Sequence, residues 1–448
     1  MRSHWSSRFA FIMATAGSAV GLGNIWKFPY MTGTNGGSAF VLVYLVCVAL
    51  IGLPLMMTEV MLGRRAQRNP VDGMAQLAAE AGGSQWWRGV GYMGIAAGIL
   101  ILSFYSVVAG WVLDYGLRAA SGGFEGMAAG QAQEAFAAFL ASPYELLFWH
   151  SLFMFLTMFV VARGVTSGLE RANKIMMPGL IAILLILLGY SLAVGDMARS
   201  LEFMFRPDFS RITPSAVLSA MGHSFFTLSL GMGAVMVYGS YLQRHVSIAR
   251  ASFHIVLTDT AIALVAGVAI FAIVFANGLE PAAGPGLIFQ TLPIAFGRMP
   301  GGTLFATLFF VLLAFAAWTS SISLVEPAVS WLIENTKLGR TRAALLTGGL
   351  IWLIGIAVLL SFNALSGVKL FGLTIFDQLD KLTTNIMLPL GGLLMAIFAV
   401  WVMRAAHAQE ELALNARHYR CWLLVTRYVS PAAIVLVFLN LAGWLPFA

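Results

Sequence analysis

The chain has 448 residues, of which 59% are hydrophobic and only 10% are charged, and its net charge is +7. A soluble domain of this size needs more charged surface, so the composition excludes a soluble globular protein and indicates a polytopic membrane protein. The two cysteines, Cys47 and Cys421, lie in apolar segments and predict neither a disulfide framework nor a metal pair. The N-terminus leads into a long apolar run without a small-residue cleavage site, so we expect no removable signal peptide.

Eleven apolar runs are each long enough to cross a bilayer, which takes about 20 residues in a helix. We number these predicted segments spans 1 to 11. The apolar stretch between spans 7 and 8, residues 278–302, is rich in Pro and Gly and is predicted to form a re-entrant or folded external loop. The spans cover residues 9–33, 38–62, 87–117, 144–162, 173–194, 214–240, 251–277, 303–333, 343–362, 371–403 and 421–445.

The basic residues predict how the spans are oriented. If the N-terminus lies in the cytoplasm, 18 of the 26 Lys and Arg residues fall in segments on the cytoplasmic side. Because cytoplasmic loops of membrane proteins carry the excess of Lys and Arg, we predict a cytoplasmic N-terminus. Eleven spans then place the C-terminus outside.

Spans 1 and 6 share an interruption in the middle of the membrane segment, at Gly21-Leu22-Gly23 and at Gly231-Met232-Gly233. Because an odd number of spans separates them, a repeat of that length is inverted in the bilayer. Inverted repeats with paired broken helices are typical of secondary transporters, where the unwound backbone lines a binding cavity. Close helix packing at the glycines is the alternative. We predict an all-α fold with a 5+5 inverted repeat (residues 1–195 and 196–405), followed by a cytoplasmic linker and the eleventh helix (406–448).

An unwound turn changes the chemistry available inside a membrane. Its free carbonyl oxygens can replace the hydration shell of Na⁺, and the N–H groups of the half-helix can hold a carboxylate. Asn24, Thr227 and Ser229 lie at or next to the two breaks and add hard oxygen ligands. The sequence therefore predicts sites for Na⁺ and for an anionic group, and it contains no His/Cys cluster for a soft metal.

Six motifs carry a resemblance to a known family: "GSAVGLGNIWKFPY", "NGGSAF", "GLPLMMTEVMLGR", "FFTLSLGMG", "GPGLIF" and "WTSSISLVEP". In this order they resemble the neurotransmitter:sodium symporter family, in particular its bacterial amino-acid transporters with the leucine-transporter fold. The match runs from Arg2 to about Met403. The resemblance implies sodium-coupled transport by alternating access in a bacterial cytoplasmic membrane, and no enzymatic activity.

Two sodium sites are implied by the resemblance. The first is completed by the carboxylate of the substrate, which couples ion and substrate. In the second, carbonyls of spans 1 and 8 surround the ion together with two hydroxyls. Without the resemblance, those hydroxyls are also explained by bonding to the preceding helical turn. The first site falls on Ala19, Asn24, Thr227 and Asp259, and the second on Gly17, Val20, Ala316, Thr319 and Ser320.

The family pattern also implies the substrate class. Monoamine transporters of the family have an Asp at the position of Gly21, which here has no side chain, so we expect a zwitterionic L-amino acid. The mapped pocket is apolar and contains an adaptable Met, so hydrophobic and aromatic substrates remain open. The Tyr105 hydroxyl and backbone N–H groups would hold the carboxylate. The implied substrate-binding residues are Ser18, Leu22, Gly23, Ile101, Tyr105, Phe226, Ser229, Met232, Ser320 and Leu324.

An outer and an inner gate follow from the same comparison. Most relatives have Arg at the first outer position, and the Lys found here gives a point charge instead of a bidentate fork. We therefore expect a weaker or water-mediated outer gate. The alternative is that the charged residues of both gates are ordinary solvated helix ends. The gate residues are Lys27 and Asp380 outside, and Arg2, Glu334, Trp5 and Tyr241 inside.

Gly168 and Pro178 lie at the cytoplasmic start of span 5, Gly168 just before it and Pro178 within it. Each weakens a helix, so this turn is predicted to unwind and admit water to the second sodium site; a static Pro kink is the alternative. Three further ionisable residues lie inside spans and need partners. Glu59 is predicted to accept hydrogen bonds from the broken segments, His223 to have a hydrogen-bonded core role, and Glu326 has no partner that the sequence identifies.

Animal members of the family require chloride. The matching positions here are Tyr44, His223, Thr227, Asp259 and Ala263. A fixed carboxylate near Na⁺ can take over the role of the anion, so Asp259 predicts chloride-independent transport. Protonation of the same carboxylate after sodium release would give proton counter-transport, which the sequence leaves open.

Other functional classes lack the residues they need. A channel requires rings of charge or a carbonyl filter, and an enzyme requires a catalytic constellation, and the sequence has neither. A sensor-like receptor with this fold and proton coupling in place of sodium remain alternatives. The predicted partners are a small amino acid, Na⁺ and the lipid bilayer, with no nucleic acid and no prediction of the oligomeric state.

Overall fold

The computed structural model describes residues 5–282, 284 and 286–441, and within these ranges the regular structure is helical, apart from an isolated bridge between Leu370 and Leu373. Eight helices are long and apolar enough to cross a membrane, and they coincide with spans 2–5 and 7–10. They are Ser38–Ala66, Gln85–Ala120, Pro143–Ala162, Val165–Val194, Ile248–Ala276, Gly302–Asn335, Arg340–Leu360 and Ile375–Val402.

Span 1 is broken as predicted. Its two parts, Arg8–Ala19 and Gly23–Thr34, are bent by 48° relative to each other. Counted as one span, this pair brings the number of apolar spans among the described residues to nine.

Span 6 is also broken. Pro214–Thr227 and Ala234–Ser240 are separated by the non-helical residues 228–233. Within this break Gly231 and Gly233 have φ angles of 83° and 79°, and Ser229 has φ 53°. Because such angles are costly for residues with a Cβ, the two glycines are required by the conformation of the break.

Span 11 is built from consecutive helical pieces, Ala416–Leu424, Val425–Val429 and Ser430–Leu441. The predicted total of eleven spans is compatible with this architecture, in which spans 6 and 11 consist of shorter pieces. The division into two repeats and a C-terminal linker stays a prediction.

Shorter helices connect the spans. The loop predicted at 278–302 is folded, and the apolar side chains of Leu287, Phe289 and Leu292 are buried. The amphipathic helices between spans 2 and 3 and between spans 10 and 11 were not predicted separately. These connecting helices are Pro70–Ala81, Ala129–Ala141, Met197–Phe205, Phe209–Arg211, Leu287–Thr291, Leu292–Arg298 and Ala405–Leu412.

Spans 2 and 6 pack with their backbones in close approach. A Cβ added to Gly63 would overlap the carbonyl oxygen of Met236, and one added to Gly239 would lie 2.7 Å from the carbonyl oxygen of Val60. Small residues allow this approach, as at other helix contacts in membranes. The contact holds the second half of span 6 against span 2 directly beside the break.

We predict that Gly63→Ala destabilises the protein by about 1–3 kcal/mol, because the added methyl group must separate two helix backbones. Gly349→Ala is the matched control: Gly349 lies in the middle of span 9, and an added Cβ there meets nothing within 4 Å. Thermal unfolding of the purified proteins in one detergent measures both variants. Equal melting temperatures for the two variants would contradict the close packing of spans 2 and 6.

Candidate functional site

The breaks of spans 1 and 6 meet at one cavity in the middle of the helix bundle. Nine of the ten predicted substrate-binding residues line it, and Leu22 lines the neighbouring cavity instead. The free space is only about 20 Å³, which holds a water molecule but no amino acid, so side chains at its edge must shift to admit a larger ligand. The lining residues are Ser18, Ala19, Gly21, Gly23, Ile101, Tyr105, Phe226, Ser229, Met232, Ser320 and Leu324.

Side chains satisfy the backbone groups that the breaks release. The N–H of Gly21 donates to Oδ1 of Asn24 at 2.9 Å, and the N–H of Leu22 donates to the Tyr105 hydroxyl at 3.2 Å. The Ser229 hydroxyl donates to the carbonyl of Ser18 at 2.9 Å and so connects the two breaks. Polar groups therefore converge on one side of the cavity.

A first oxygen cluster lies beside the cavity. The Asn24 amide donates to the carbonyl of Asp259 at 3.0 Å and to its carboxylate at 2.7 Å. The Thr227 hydroxyl lies 3.2 Å from both carboxylate oxygens. Asp259 is fully buried, and among the described residues no Lys or Arg forms an ion pair with it. A buried carboxylate requires a compensating charge, which a cation bound in this cluster would supply.

A second oxygen cluster connects spans 1 and 8. The Thr319 hydroxyl lies 3.4 Å from the carbonyl oxygen of Val20 and 3.1 Å from that of Ala316. The Ser320 hydroxyl lies 3.2 Å from Val20 O and 3.4 Å from Gly17 O. Thr319 also bonds back to its own helix at Phe315 O, 3.0 Å away. Back-bonding alone does not account for the contacts that reach span 1, so all five predicted residues of this cluster lie together.

The predicted outer gate pair forms one contact. Lys27 Nζ lies 3.2 Å from Oδ1 of Asp380 and 4.4 Å above the ring of Phe226. A second cavity of about 330 Å³ lies on this side, and Tyr105 and Phe226 line both cavities. Phe226 and the ion pair above it therefore separate the central cavity from the outer one.

The prediction for the inner gate includes Arg2, which lies outside the described residues. Its proposed partner Glu334 accepts hydrogen bonds from the backbone and the side chain of Asn69 at 3.0 and 2.8 Å. The Trp5 indole donates to the carbonyl of Tyr238 at 2.9 Å, and its ring lies 6.0 Å from that of Tyr241. Trp5 and Tyr241 are therefore neighbours.

Glu326 has partners that sequence reasoning missed. Its carboxylate accepts two hydrogen bonds from the Arg340 guanidinium, at 3.0 and 2.5 Å, and one from the Tyr241 hydroxyl at 2.9 Å. A buried carboxylate is costly without a partner, and Arg340, the first residue of the helix Arg340–Leu360, follows Glu326 by 14 residues along the chain. That proximity is the signal that could have identified the pair.

Span 5 is wound in this structure. Gly168 lies in a π-helical turn, Val165–Glu170, and Pro178 lies inside the following helix, Arg171–Val194. A Cβ on Gly168 would overlap the carbonyl oxygen of Val160, so its smallness is used in packing. The predicted unwinding is not tested by this conformation.

The positions matched to a chloride shell lie next to the first oxygen cluster. The rings of Tyr44 and His223 are 5.4 Å apart, and Ala263 is buried. The prediction of a hydrogen-bonded core role for His223 is wrong, because neither ring nitrogen has a hydrogen-bond partner among the described residues. The imidazole stacks on Phe28 instead, with ring centres 5.9 Å apart.

Glu59 has the predicted role at the second break. Its Oε1 accepts a hydrogen bond from the N–H of Gly231 at 2.6 Å, and both groups are buried. Because Gly231 is outside helical geometry, this N–H has no helical acceptor. The carboxylate of span 2 therefore replaces the backbone bond that span 6 loses.

Comparison with known proteins identifies the family. The family model described as the Sodium:neurotransmitter symporter family matches residues 2–123 and 144–444. The chain belongs to this family. An uncharacterized sodium-dependent transporter of Bacillus subtilis, YhdH, is 40% identical over 447 residues, covering 99% of this chain and 98% of that protein. The human sodium- and chloride-dependent GABA transporter 2 is 24% identical, covering 98% of this chain and 79% of its own length.

A solved structure has the same fold. The crystal structure of MhsT in complex with L-phenylalanine superposes with a TM-score of 0.92, at 44% identity, covering 98% of this chain and 100% of that one. The protein is therefore a multi-pass, sodium-dependent membrane transporter of the symporter family for a small-molecule substrate, and not an enzyme.

Replacement of Glu59 tests how the second break is stabilised. We expect Glu59→Ala to lower the free energy of unfolding by about 1–3 kcal/mol, because the Gly231 N–H is left buried without an acceptor. Glu59→Gln keeps an acceptor oxygen and serves as the matched control, with a smaller loss. Thermal unfolding in detergent separates the two. A Gln variant as unstable as the Ala variant would show that the negative charge, and not the hydrogen bond, is needed.

Proposed function

We propose that the protein is a sodium-coupled symporter of a hydrophobic or aromatic zwitterionic L-amino acid. The observation that carries this proposal is a central cavity with polar groups of the two breaks and an apolar wall in its lining, and with two oxygen clusters adjoining it. Ile101, Met232 and Leu324 form the apolar wall, and the Tyr105 hydroxyl lies at the polar end with the N–H of Leu22. This division matches an amino acid, with its carboxylate at the breaks and its side chain against the wall.

The two oxygen clusters are the proposed sodium sites. Ala19, Asn24, Thr227 and Asp259 would hold the first ion, with the substrate carboxylate as a further ligand. The second ion would lie between the carbonyls of Gly17, Val20 and Ala316 and the hydroxyls of Thr319 and Ser320. Hard oxygen donors without thiolate or imidazole suit Na⁺. In the part of the chain that the structure describes, no three His, Cys, Asp or Glu side chains group together as a transition-metal site.

Alternating access would use the two gates. The Lys27–Asp380 pair, which forms a single charged contact at 3.2 Å, and Phe226 would close the outer side. On the other side Trp5, Tyr241 and Glu334, together with Arg2, would form the inner gate. Unwinding of span 5 between Gly168 and Pro178 would then hydrate the second sodium site. We propose this cycle for the cytoplasmic membrane of a bacterium, with the N-terminus inside and the C-terminus outside.

Uptake into proteoliposomes tests the proposal. An inward Na⁺ gradient is expected to drive accumulation of a radiolabelled hydrophobic or aromatic amino acid, and a K⁺ gradient of equal size is not. Competition by each of the twenty amino acids then defines the substrate. Uptake driven by a pH gradient alone would contradict sodium coupling, and sodium-dependent binding without accumulation would indicate a receptor.

The Asn24→Ala variant tests the first sodium site. Loss of the amide removes a ligand that water cannot replace in a closed cavity. We expect substrate affinity to fall by about tenfold or more, which corresponds to at least about 1.4 kcal/mol, and its sodium dependence to become shallower. Asn277→Ala is a matched control, because that amide bonds only to the carbonyl of Ile273 at the end of span 7. Binding in Asn24→Ala with the sodium dependence of the wild type would rule out this assignment.

Substitution of Gly21 tests the substrate class. A Cβ here would lie 2.9 Å from the Tyr105 hydroxyl and overlap the Ser320 hydroxyl, so both Gly21→Asp and Gly21→Asn reduce the cavity. Only Asp adds a charge that repels the carboxylate of the substrate. We expect Gly21→Asp to abolish amino-acid uptake and to bind the corresponding amine without carboxylate better than Gly21→Asn does. Normal amino-acid affinity in Gly21→Asp would show that this position does not face the substrate.

Chloride replacement tests the role of Asp259. The buried carboxylate supplies a fixed negative charge beside the first sodium site, so replacing chloride with gluconate is expected to leave wild-type uptake unchanged. Asp259→Asn removes the charge and should make uptake chloride-dependent or abolish it. Collapse of wild-type uptake in gluconate would contradict this role. Sodium-driven uptake that alkalinises the proteoliposome lumen would reveal proton counter-transport.

A further inference from the structure

A second large cavity lies far from the central site, where the ends of spans 2, 7 and 11 meet. It has a volume of about 630 Å³, and we call it the peripheral groove. Its floor is apolar, and the indole of Trp422 at the floor donates to the carbonyl of Pro54 at 3.3 Å. The apolar lining residues are Leu53, Pro54, Met57, Ala249, Phe253, Ala413, Leu414, Trp422 and Val425.

The rim of the peripheral groove is basic. Arg250, His254 and His418 line it, and within the described ranges none of their side chains has a hydrogen bond or an ion pair. From His418 the nearest acids along the chain are already neutralised, since Glu411 binds Arg64 at 2.7 Å and Glu410 binds Arg65 at 3.3 Å. From His254 the nearest acid is Asp259, which is buried beside the first oxygen cluster. The positive charge of Arg250 therefore remains uncompensated at the mouth of an apolar groove, and the two imidazoles add hydrogen-bonding groups there.

The groove continues onto a surface that lipid covers. Phe253 and Leu257 lie on one face of span 7, each 52% exposed, and Leu424 and Tyr428 on one face of span 11, at 56% and 57%. Residues four apart on a helix lie above one another, so each of the two helices has an exposed apolar strip that begins at the basic rim. A soluble anion would leave these apolar strips uncovered, and a neutral lipid would leave the positive charge at the rim uncompensated.

We propose that the peripheral groove binds an anionic phospholipid. Its phosphate lies between Arg250, His254 and His418, and an acyl chain follows Phe253 and Leu257. An Arg at the membrane surface attracts anionic lipids by about 1 kcal/mol, the two imidazoles can hydrogen-bond the phosphate, and the apolar floor adds the hydrophobic contribution of the chain. This proposal is independent of the identity of the transported substrate.

One cysteine provides a direct probe. Cys421 lines the groove and is exposed, whereas Cys47, the second of the two cysteines, is buried. The rate of labelling by an uncharged maleimide is measured in nanodiscs of phosphatidylcholine, with or without phosphatidylglycerol carrying the same acyl chains. We expect phosphatidylglycerol to slow the labelling of Cys421 by about fivefold, the factor that corresponds to one basic contact. The Cys421→Ala variant gives the background from Cys47.

Matched variants distinguish lipid binding at the peripheral groove from a general attraction between the protein and a charged membrane. Arg250→Gln/His418→Gln is expected to lose the protection by phosphatidylglycerol, while Arg171→Gln/Arg342→Gln, which removes two exposed cations elsewhere, keeps it. Native mass spectrometry in a mild detergent should show phosphatidylglycerol retained by the wild type and the control double variant, and lost from Arg250→Gln/His418→Gln.

Three outcomes would overturn the proposal. The first is equal labelling with and without phosphatidylglycerol, and the second is equal loss of protection in both double variants. The third is equal protection by inorganic phosphate in phosphatidylcholine nanodiscs, because the groove would then bind an anion without needing the lipid chains. Ala249→Phe adds a steric test: its ring fills the groove without removing a charge, and it should also abolish lipid retention.

Discussion

A helix that crosses a membrane keeps its backbone hydrogen bonds within itself, and two spans of this transporter give up that arrangement. The central site depends on this fact. Three backbone N–H groups at the breaks donate to side chains instead of to helix carbonyls. The acceptor is Asn24 for the N–H of Gly21, Tyr105 for that of Leu22, and Glu59 for that of Gly231. Tyr105 also lines the central cavity, and Asn24 belongs to the first oxygen cluster beside it. Two of the groups that stabilise the breaks are thus also groups that a ligand or ion is proposed to meet.

The buried carboxylates, like the released backbone groups, need partners within the protein. Glu59 is held by a backbone N–H, and Glu326 is held by Arg340 and the Tyr241 hydroxyl. Asp259, like Glu59, has only neutral donors as described partners, from Asn24 and Thr227. Hydrogen bonds from neutral groups compensate a buried charge only in part. Of these two carboxylates, Asp259 is the one beside the central cavity, where a bound cation is proposed.

The sequence allowed the fold and most of the site to be predicted because the decisive signals are local. A Gly-x-Gly within an apolar run marks a break, and in span 6 the positive φ angles of Gly231 and Gly233 are the physical reason. The family motifs named the residues that gather around the cavity. Long-range partners were harder, since the pairing of Glu326 with Arg340 depends on how span 9 packs. The stacking of His223 on Phe28 was missed for the same reason, because packing decides what a ring touches.

Span 2 contains two of the anchoring contacts described above. Glu59 binds the break of span 6, and five residues further on Arg64 is held by Glu411 and by the carbonyl of Val246. On a rigid helix these two points are only about 7.5 Å apart along the axis. The break of span 6 and the connecting helix Ala405–Leu412 are therefore joined by one short, continuous stretch of span 2. A spectroscopic label on that connecting helix is accordingly a test of whether the break and the surface move together, and it leaves the cavity itself unaltered.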